Sequence, residues 1–314
     1  MSTTAGSALP SATVTLCVAG NLLLLGEYAV LEEGGLGLAL AVEPRVQVRA
    51  TTSDDLRIDG SWPGGAGRSP FVDSAVRVTE EHLGRPCTGA LHVDSRALYS
   101  ADGRKTGLGS SAAVTVSVVC ALLALAGESA RGEEAATVAV RSHRAAQNGR
   151  GSGYDVLASF HGGAGVVRGG RFPSWEPCGL PAGFELFLFP GSAPVSTADA
   201  VGRYERWKTG NPGPARDFLA QSNDAIGSFL RSPTADQLHR SLGSCRRLGS
   251  ELGRAIGVSA EIALPPGLNG AWCKAVGAGN ELGACLVPPG APRPSRSSGC
   301  RPLRLAAEGV LWER

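Results

Sequence analysis

Lys105-Thr-Gly-Leu-Gly-Ser-Ser-Ala-Ala113 is the stretch on which the reading of this 314-residue chain turns. Gly107 and Gly109 carry no side chain, so the backbone there can approach a phosphate closely. Leu108 sits between them, Ser110 and Ser111 add hydroxyls, and Ala112 opens the apolar run behind. That run, Val114 to Leu125, is apolar on every side and predicts a buried helix. A helix starting at such a loop aims unbonded N–H groups and its positive dipole end outward. Residues 107–112 therefore read as an anion cradle, with a plain strand-to-helix turn as the competing reading. The serines follow the glycines rather than the Lys, so this is not a P-loop, and G-x-G-x-x-G is absent.

Two more glycine segments lie downstream. Gly151-Ser-Gly-Tyr-Asp-Val places Asp155 at a helix start, beside Ser152 and shortly after Arg150. A carboxylate there can orient a substrate hydroxyl or help hold a metal. It can equally be a first-turn acid that interacts only with the helix dipole. Lys274-Ala-Val-Gly-Ala-Gly-Asn-Glu brings Gly277 and Ala278 to a strand end, where a simple hairpin is the alternative. Upstream, Gly20-Asn-Leu-Leu-Leu-Leu-Gly-Glu-Tyr interrupts an apolar strand at Gly26 and Glu27. Glu27 and Tyr28 are candidate polar contacts there, unless they merely end the strand.

Composition limits the classes. Hydrophobic residues make up 43% and charged residues 18%, enough to build a core and too apolar for disorder. A net charge of +2 gives no basis for nucleic-acid binding or a polybasic membrane surface. No apolar run approaches the ~18 residues of a membrane helix, and the first 16 residues lack a signal-like charge and apolar core. Eight cysteines without a C-x-x-C pair read mostly as buried free thiols in a reducing, cytoplasmic compartment. Only three of the 30 cationic residues are lysines, namely Lys105, Lys208 and Lys274.

Strands are predicted at Val14 to Leu25, Leu38 to Val42 with the alternating run from Arg45, Ala90 to Ser95, Phe184 to Phe189, Ala271 to Ala275 and Gly283 to Val287. Helices are predicted at Asp73 to Leu83, Val114 to Leu125, Glu133 to Gln147, Tyr154 to Phe160, Ala198 to Lys208, Ala215 to Leu230 and Ala235 to Ile256. Residues 1–12 read as a frayed end, 53–69 as loop or hairpin, and 288–304 as a solvated excursion. Leu303 to Trp312 returns to close a sheet. Gly, Pro, Trp and Arg cluster at 170–183, which suggests domains at 1–175 and 176–314. Strands and helices mix without strict alternation, so the class is α+β.

In this order, the segments resemble those of the GHMP kinases. Lys105 to Ala112, Ala146-Gln-x-x-x-Gly-Ser-Gly-Tyr-Asp-Val156, and Ser196-Thr-Ala-Asp-Ala-Val leading to Trp207-Lys208 are most similar to the phosphomevalonate kinase branch. The resemblance implies a ribosomal-protein-S5-like N-terminal domain, a ferredoxin-like C-terminal domain and a site between them. It implies ATP on residues 107–112, Mg²⁺ held with help from Ser111, Asp155 as the catalytic aspartate and Lys105 beside the phosphates. Asn21, Glu27, Tyr28, Arg150, Ser152, Ser196, Thr197, Gly277 and Ala278 would then face a small-molecule acceptor. That acceptor would be phosphomevalonate foremost, with mevalonate or another small molecule as alternatives, in a monomer or homodimer. Two positions depart from the family pattern. Ala19-Gly20-Asn21 stands where Pro-Gly-Lys is usual, and Asn280-Glu281-Leu282 stands where Gly-Gly-Asp is usual. A non-catalytic nucleotide-binding homologue is the remaining alternative.

Overall fold

The computed structural model describes residues 13–61, 69–191, 196–232, 234–266, 268, 272–295 and 299–313. Expectations for residues 1–12, for 62–68 of the 53–69 segment and for Ala271 lie outside the described residues. The mixed α+β class is what the fold shows, in two sheets.

The larger sheet has seven strands. β1 (Thr13–Leu25) pairs antiparallel with β2 (Leu36–Thr51), which pairs with β4 (Gly89–Asp94); β3 (Leu56–Ser61) adds in parallel to β4. β5 (Ala164–Arg168) pairs with the other half of β2, and β6 (Ser174–Cys178) pairs with β5. The smaller sheet runs β10 (Arg301–Pro302), β7 (Glu185–Pro190), β9 (Leu282–Val287), β8 (Cys273–Val276). The final strand, β11 (Val310–Glu313), crosses back to β1 of the larger sheet. The division expected at 175/176 thus falls inside β6, and residues 310–313 pair with the first strand.

Helices cover one face of the larger sheet. α2 (Ser110–Leu125) and α4 (Tyr154–His161) lie on β1 and β2, with α1 (Pro70–Leu83) and α3 (Glu133–Ala146) packed against α2. Almost every side chain of α2 is buried, as its uniformly apolar sequence requires. α5 (Thr197–Gly210), α6 (Pro212–Leu230) and α7 (Ala235–Ile256) accompany the smaller sheet, and α6 also reaches β2. One apolar core runs through both parts, from Leu16 and Val118 to Tyr204, Ile226 and Leu188. Among the described residues no helix is long and apolar enough to cross a membrane.

Three local expectations change. Residues 56–61, in the stretch read as loop or hairpin, form a strand that pairs in parallel with β4 rather than with a hairpin neighbour; Leu56 and Ile58 pack against the core while Arg57 and Asp59 face out. β6 occupies ground that the composition marked as a boundary. Cys273 and Cys285, opposite each other in the β8–β9 register, form a cross-strand disulfide, whereas Cys17, Cys87, Cys120, Cys178, Cys245 and Cys300 are free.

The two sheets are locked by a buried ion pair. Lys274, on β8, donates to the Glu27 carboxylate just past β1, and to the carbonyls of Leu24 at 3.0 Å and Ala275 at 2.6 Å. Burial pushes the Glu27 carboxyl above its ordinary range, and the Lys274 ammonium opposes that shift. Lys274→Met would leave the carboxylate enclosed and unpaired, an expected loss of about 3–5 kcal/mol near neutral pH. A carboxyl whose folded pKa is raised favours the protonated fold, so its contribution is present at low pH and is lost as pH rises through that pKa. The deficit of the variant against the parent, measured by urea unfolding, should therefore shrink between pH 8 and pH 5. An equal deficit at both would reject the ion-pair account.

Candidate active site

The site is assembled where β1 passes under the glycine loop. Gly107 and Gly109 both hold positive φ, 78° and 65°, and Gly109 is the N-cap of α2 with no side chain capping the helix. A Cβ at Gly109 would fall 2.0–2.3 Å from the Asn21 side chain. The first-turn N–H groups of Ser110, Ser111 and Ala112 thus remain at an uncapped helix terminus, which suits an anion. Ser110 and Ala112 are themselves buried, and Ser111 is half-buried. Leu108 is a core residue whose carbonyl accepts from the Asn21 N–H at 3.0 Å, so its side chain and carbonyl anchor the loop. Thr106 ties the other side, donating from N and Oγ1 to the Leu98 carbonyl at 3.1 and 2.9 Å. Lys105 is exposed at the start of the loop, bridged to Tyr99 through the backbone.

Asn21 departs from its expected role. It is 2% exposed, and Nδ2 donates to the Gly109 carbonyl at 3.3 Å and to Ser159 Oγ at 3.0 Å. Its amide braces the loop against α4. Glu27 and Tyr28 are likewise occupied, Glu27 by Lys274 and Tyr28 by donating its hydroxyl to the Ala278 carbonyl. Both therefore join the sheets and set the third glycine turn. That turn, with Gly277 at φ 83°, brings Leu282 within 3.4 Å of a Cβ position on Gly107. Ser196 caps α5, accepting from the Asp199 N–H at 3.3 Å, and Thr197 is the first residue of that helix; both are exposed. Ser152 is buried, with Oγ 3.5 Å from the Tyr154 N–H.

Asp155 stands in the first turn of α4, one oxygen accepting from the Val156 N–H at 2.9 Å. Its other oxygen is 3.6 Å from His143 Nδ1, and His143 Nε2 is 3.3 Å from Ser111 Oγ. One buried imidazole, stacked on Phe71 at 5.0 Å, therefore stands between the cradle serine and the carboxylate. His143 was not among the expected site residues. Its sequence signal is only a basic residue in the last turn of an amphipathic helix. The adjoining Tyr154 hydroxyl is held in its neutral form, first by burial and then by the carboxylates of Asp155, Glu27 and Glu281.

Among the described residues no group of three or more His, Cys, Asp or Glu is arranged to hold a metal ion. The donors beside the cradle are the Ser111 hydroxyl and the Asp155 carboxylate. Such a sparse set fits Mg²⁺ that arrives on phosphate oxygens, since that ion is commonly bound by one or two protein groups plus substrate phosphates.

Two substitutions test this arrangement. Asn21→Lys would put an ammonium where an amide now bridges two acceptors, and is expected to cost about 1–3 kcal/mol and lower the melting temperature without raising turnover. A variant that is as stable as the parent and faster would show that position 21 faces the acceptor. His143→Ala is expected to lower kcat about tenfold or more through misplacement of Ser111 and Asp155, with little change in nucleotide affinity. Unchanged kcat would make the imidazole mere packing.

Comparison with known proteins gives a consistent set. Residues 70–163, which span α1 to α4, match the GHMP kinases N terminal domain. Phosphomevalonate kinase from Streptomyces sp. (strain CL190) is 26% identical, over 77% of this chain and 78% of that protein. Among solved structures, a Lin0012 protein from Listeria innocua superposes with a TM-score of 0.79 at 20% identity, covering 96% of this chain and 100% of that one. Streptococcus pneumoniae phosphomevalonate kinase, in complex with phosphomevalonate and AMPPNP, superposes with a TM-score of 0.67 at 19% identity, covering 89% and 92%. At these identities the structural matches speak to the fold.

Proposed function

From a chain that carries the GHMP kinase N-terminal domain within a GHMP kinase fold, we propose an ATP-dependent phosphomevalonate kinase of the mevalonate route to isoprenoids. The γ-phosphorus of ATP bonds to a phosphate oxygen of 5-phosphomevalonate as its bond to the β–γ bridging oxygen breaks, which yields ADP and 5-diphosphomevalonate. The relative from Streptomyces supports the acceptor. The observation that carries the chemistry is the uncapped start of α2, with Ser111 one imidazole away from Asp155.

Phosphoryl transfer needs alignment and charge neutralisation more than covalent help from the protein. Two unit negative charges 4 Å apart repel by about 4 kcal/mol at an effective dielectric of 20. The N–H groups of Ser110 to Ala112 and the helix dipole offset part of this for the nucleotide, and Lys105 sits at the loop's entrance. Mg²⁺ bound with the nucleotide supplies further charge neutralisation, and Ser111 is the residue that would hold it. The acceptor phosphate has a second pKa of about 6, so it is largely ionised at neutral pH. Asp155 accordingly positions and electrostatically orders the reacting groups rather than removing a proton from an alcohol.

The test is ADP release with ATP across phosphomevalonate, mevalonate and other small-molecule acceptors. Turnover is expected on phosphomevalonate. Asp155→Ala should lower kcat on the order of 10²-fold or more while nucleotide affinity stays within about twofold. Turnover on mevalonate alone would move the reaction to an alcohol acceptor, and nucleotide binding without turnover on any acceptor would remove the kinase reading.

A further inference from the structure

A cavity of about 690 Å³ opens between the loop that precedes α4, the turn between β5 and β6, and helix α5. Its wall includes Arg150, Arg171 and Arg206, beside the apolar side chains of Leu31 and Val201. Glu205, the acid in that wall, is already engaged, its carboxylate 2.9 Å from Lys208 Nζ. Within the described residues, none of these three guanidiniums is paired with a carboxylate. Three like charges around one cleft repel each other unless an anion enters.

A fourth arginine builds the frame. Arg144 donates to the carbonyls of Gly151 at 2.9 Å, Ser152 at 3.0 Å, Gly170 at 2.8 Å and Arg171 at 2.7 Å. Its hydrogen-bonding capacity is spent on backbone, tying the strip that bears Arg150 to the turn that bears Arg171. That strip continues directly into the first turn of α4, where Asp155 stands four residues after Gly151. Arg206 faces them from the C-terminal part of the chain. Of these three arginines, only Arg150 was expected from the sequence; the fold adds Arg171, whose guanidinium also lies over the Phe172 ring, and Arg206.

Building on the kinase reading above, we propose that this cavity is the acceptor subsite. Arg150, Arg171 and Arg206 receive an acid group of a short aliphatic acid, and Leu31 and Val201 lie against its hydrocarbon. Guanidinium forks match carboxylate and phosphate geometry equally well, so the acid group is either of these. No bond is made or broken in this step; the arginines hold the acceptor for transfer.

Calorimetric titration of phosphomevalonate and of mevalonate into the parent, Arg206→Ala and Arg171→Ala tests the assignment. Melting curves check that the variants fold, and AMPPNP is the control ligand. Phosphomevalonate is expected to bind the parent and to lose at least tenfold in affinity in each variant, with AMPPNP affinity within twofold. An equal loss for mevalonate supports the subsite with the carboxylate as the group held. A loss confined to phosphomevalonate supports it with the phosphate. Acceptor affinity unchanged in both variants, or no acceptor binding to the parent, overturns it. The kinase reading fails separately: a parent that binds phosphomevalonate through these arginines but releases no ADP keeps the subsite and loses the reaction.

Discussion

The closeness with which β1 passes beneath the glycine loop governs the rest of the molecule. Gly20 has no space for a side chain, because a Cβ there would lie 2.8 Å from the Leu108 carbonyl oxygen and 2.9 Å from Leu98 Cδ2. One residue on, Asn21 fills the space that any side chain on Gly109 would need. The loop, the strand and the start of α2 thus fit in one way, with the amide of Asn21 joining loop to α4 through Ser159. A terminus held this firmly presents its N–H groups without the entropy cost of ordering them when an anion arrives. The buried apolar body of α2 provides the rigid backing, since none of its turns can shift without disturbing the core.

How much of this was legible in the sequence follows from which signals are local. The glycine cradle, the apolar helix behind it and the amphipathic α7 are read from adjacent residues, because glycine chemistry and helical period are written within a few positions. The segment at 56–61 was read only as loop or hairpin because Asp and Gly share it with just two apolar residues, and its pairing partner lies some 30 positions away. β6 holds Pro177 and sits at a sheet edge, where proline is tolerated but reads as a breaker. The site divides in the same way. Gly107, Gly109, Ser111 and Asp155 announce themselves through their neighbours. His143 gains meaning only from the tertiary meeting of α2, α3 and α4, and Arg171 and Arg206 only from the approach of α5 to the β5–β6 turn.

The same division bears on Glu27 and Tyr28, which the sequence marks as polar contacts, and on Asn21, which the family resemblance marks. Polar residues that interrupt an apolar strand are conspicuous, and a sequence cannot say whether their partner is a ligand or another part of the chain. Here the partners are the glycine loop, Lys274 and the Ala278 carbonyl. All three residues fix the distances between the glycine turns. The cationic residues divide similarly: Lys274 and Arg144 are spent on internal contacts, while Arg150, Arg171 and Arg206 line the cleft without a carboxylate partner among the described residues.

The crossing of β11 back to β1 has a consequence for how the chain is made. Thr15 to Val18 find one neighbour in β2, within the first 51 residues, but their other neighbour is at Val310 to Glu313. During synthesis this edge of β1 therefore stays unpaired until residues 310–313 have left the ribosome. Closing that edge carries the entropy of a very long loop, and pairing of this kind is a slow, late event in folding. An open edge strand in the meantime is a template for pairing with other chains, so this is the interval in which a nascent molecule has most need of a chaperone.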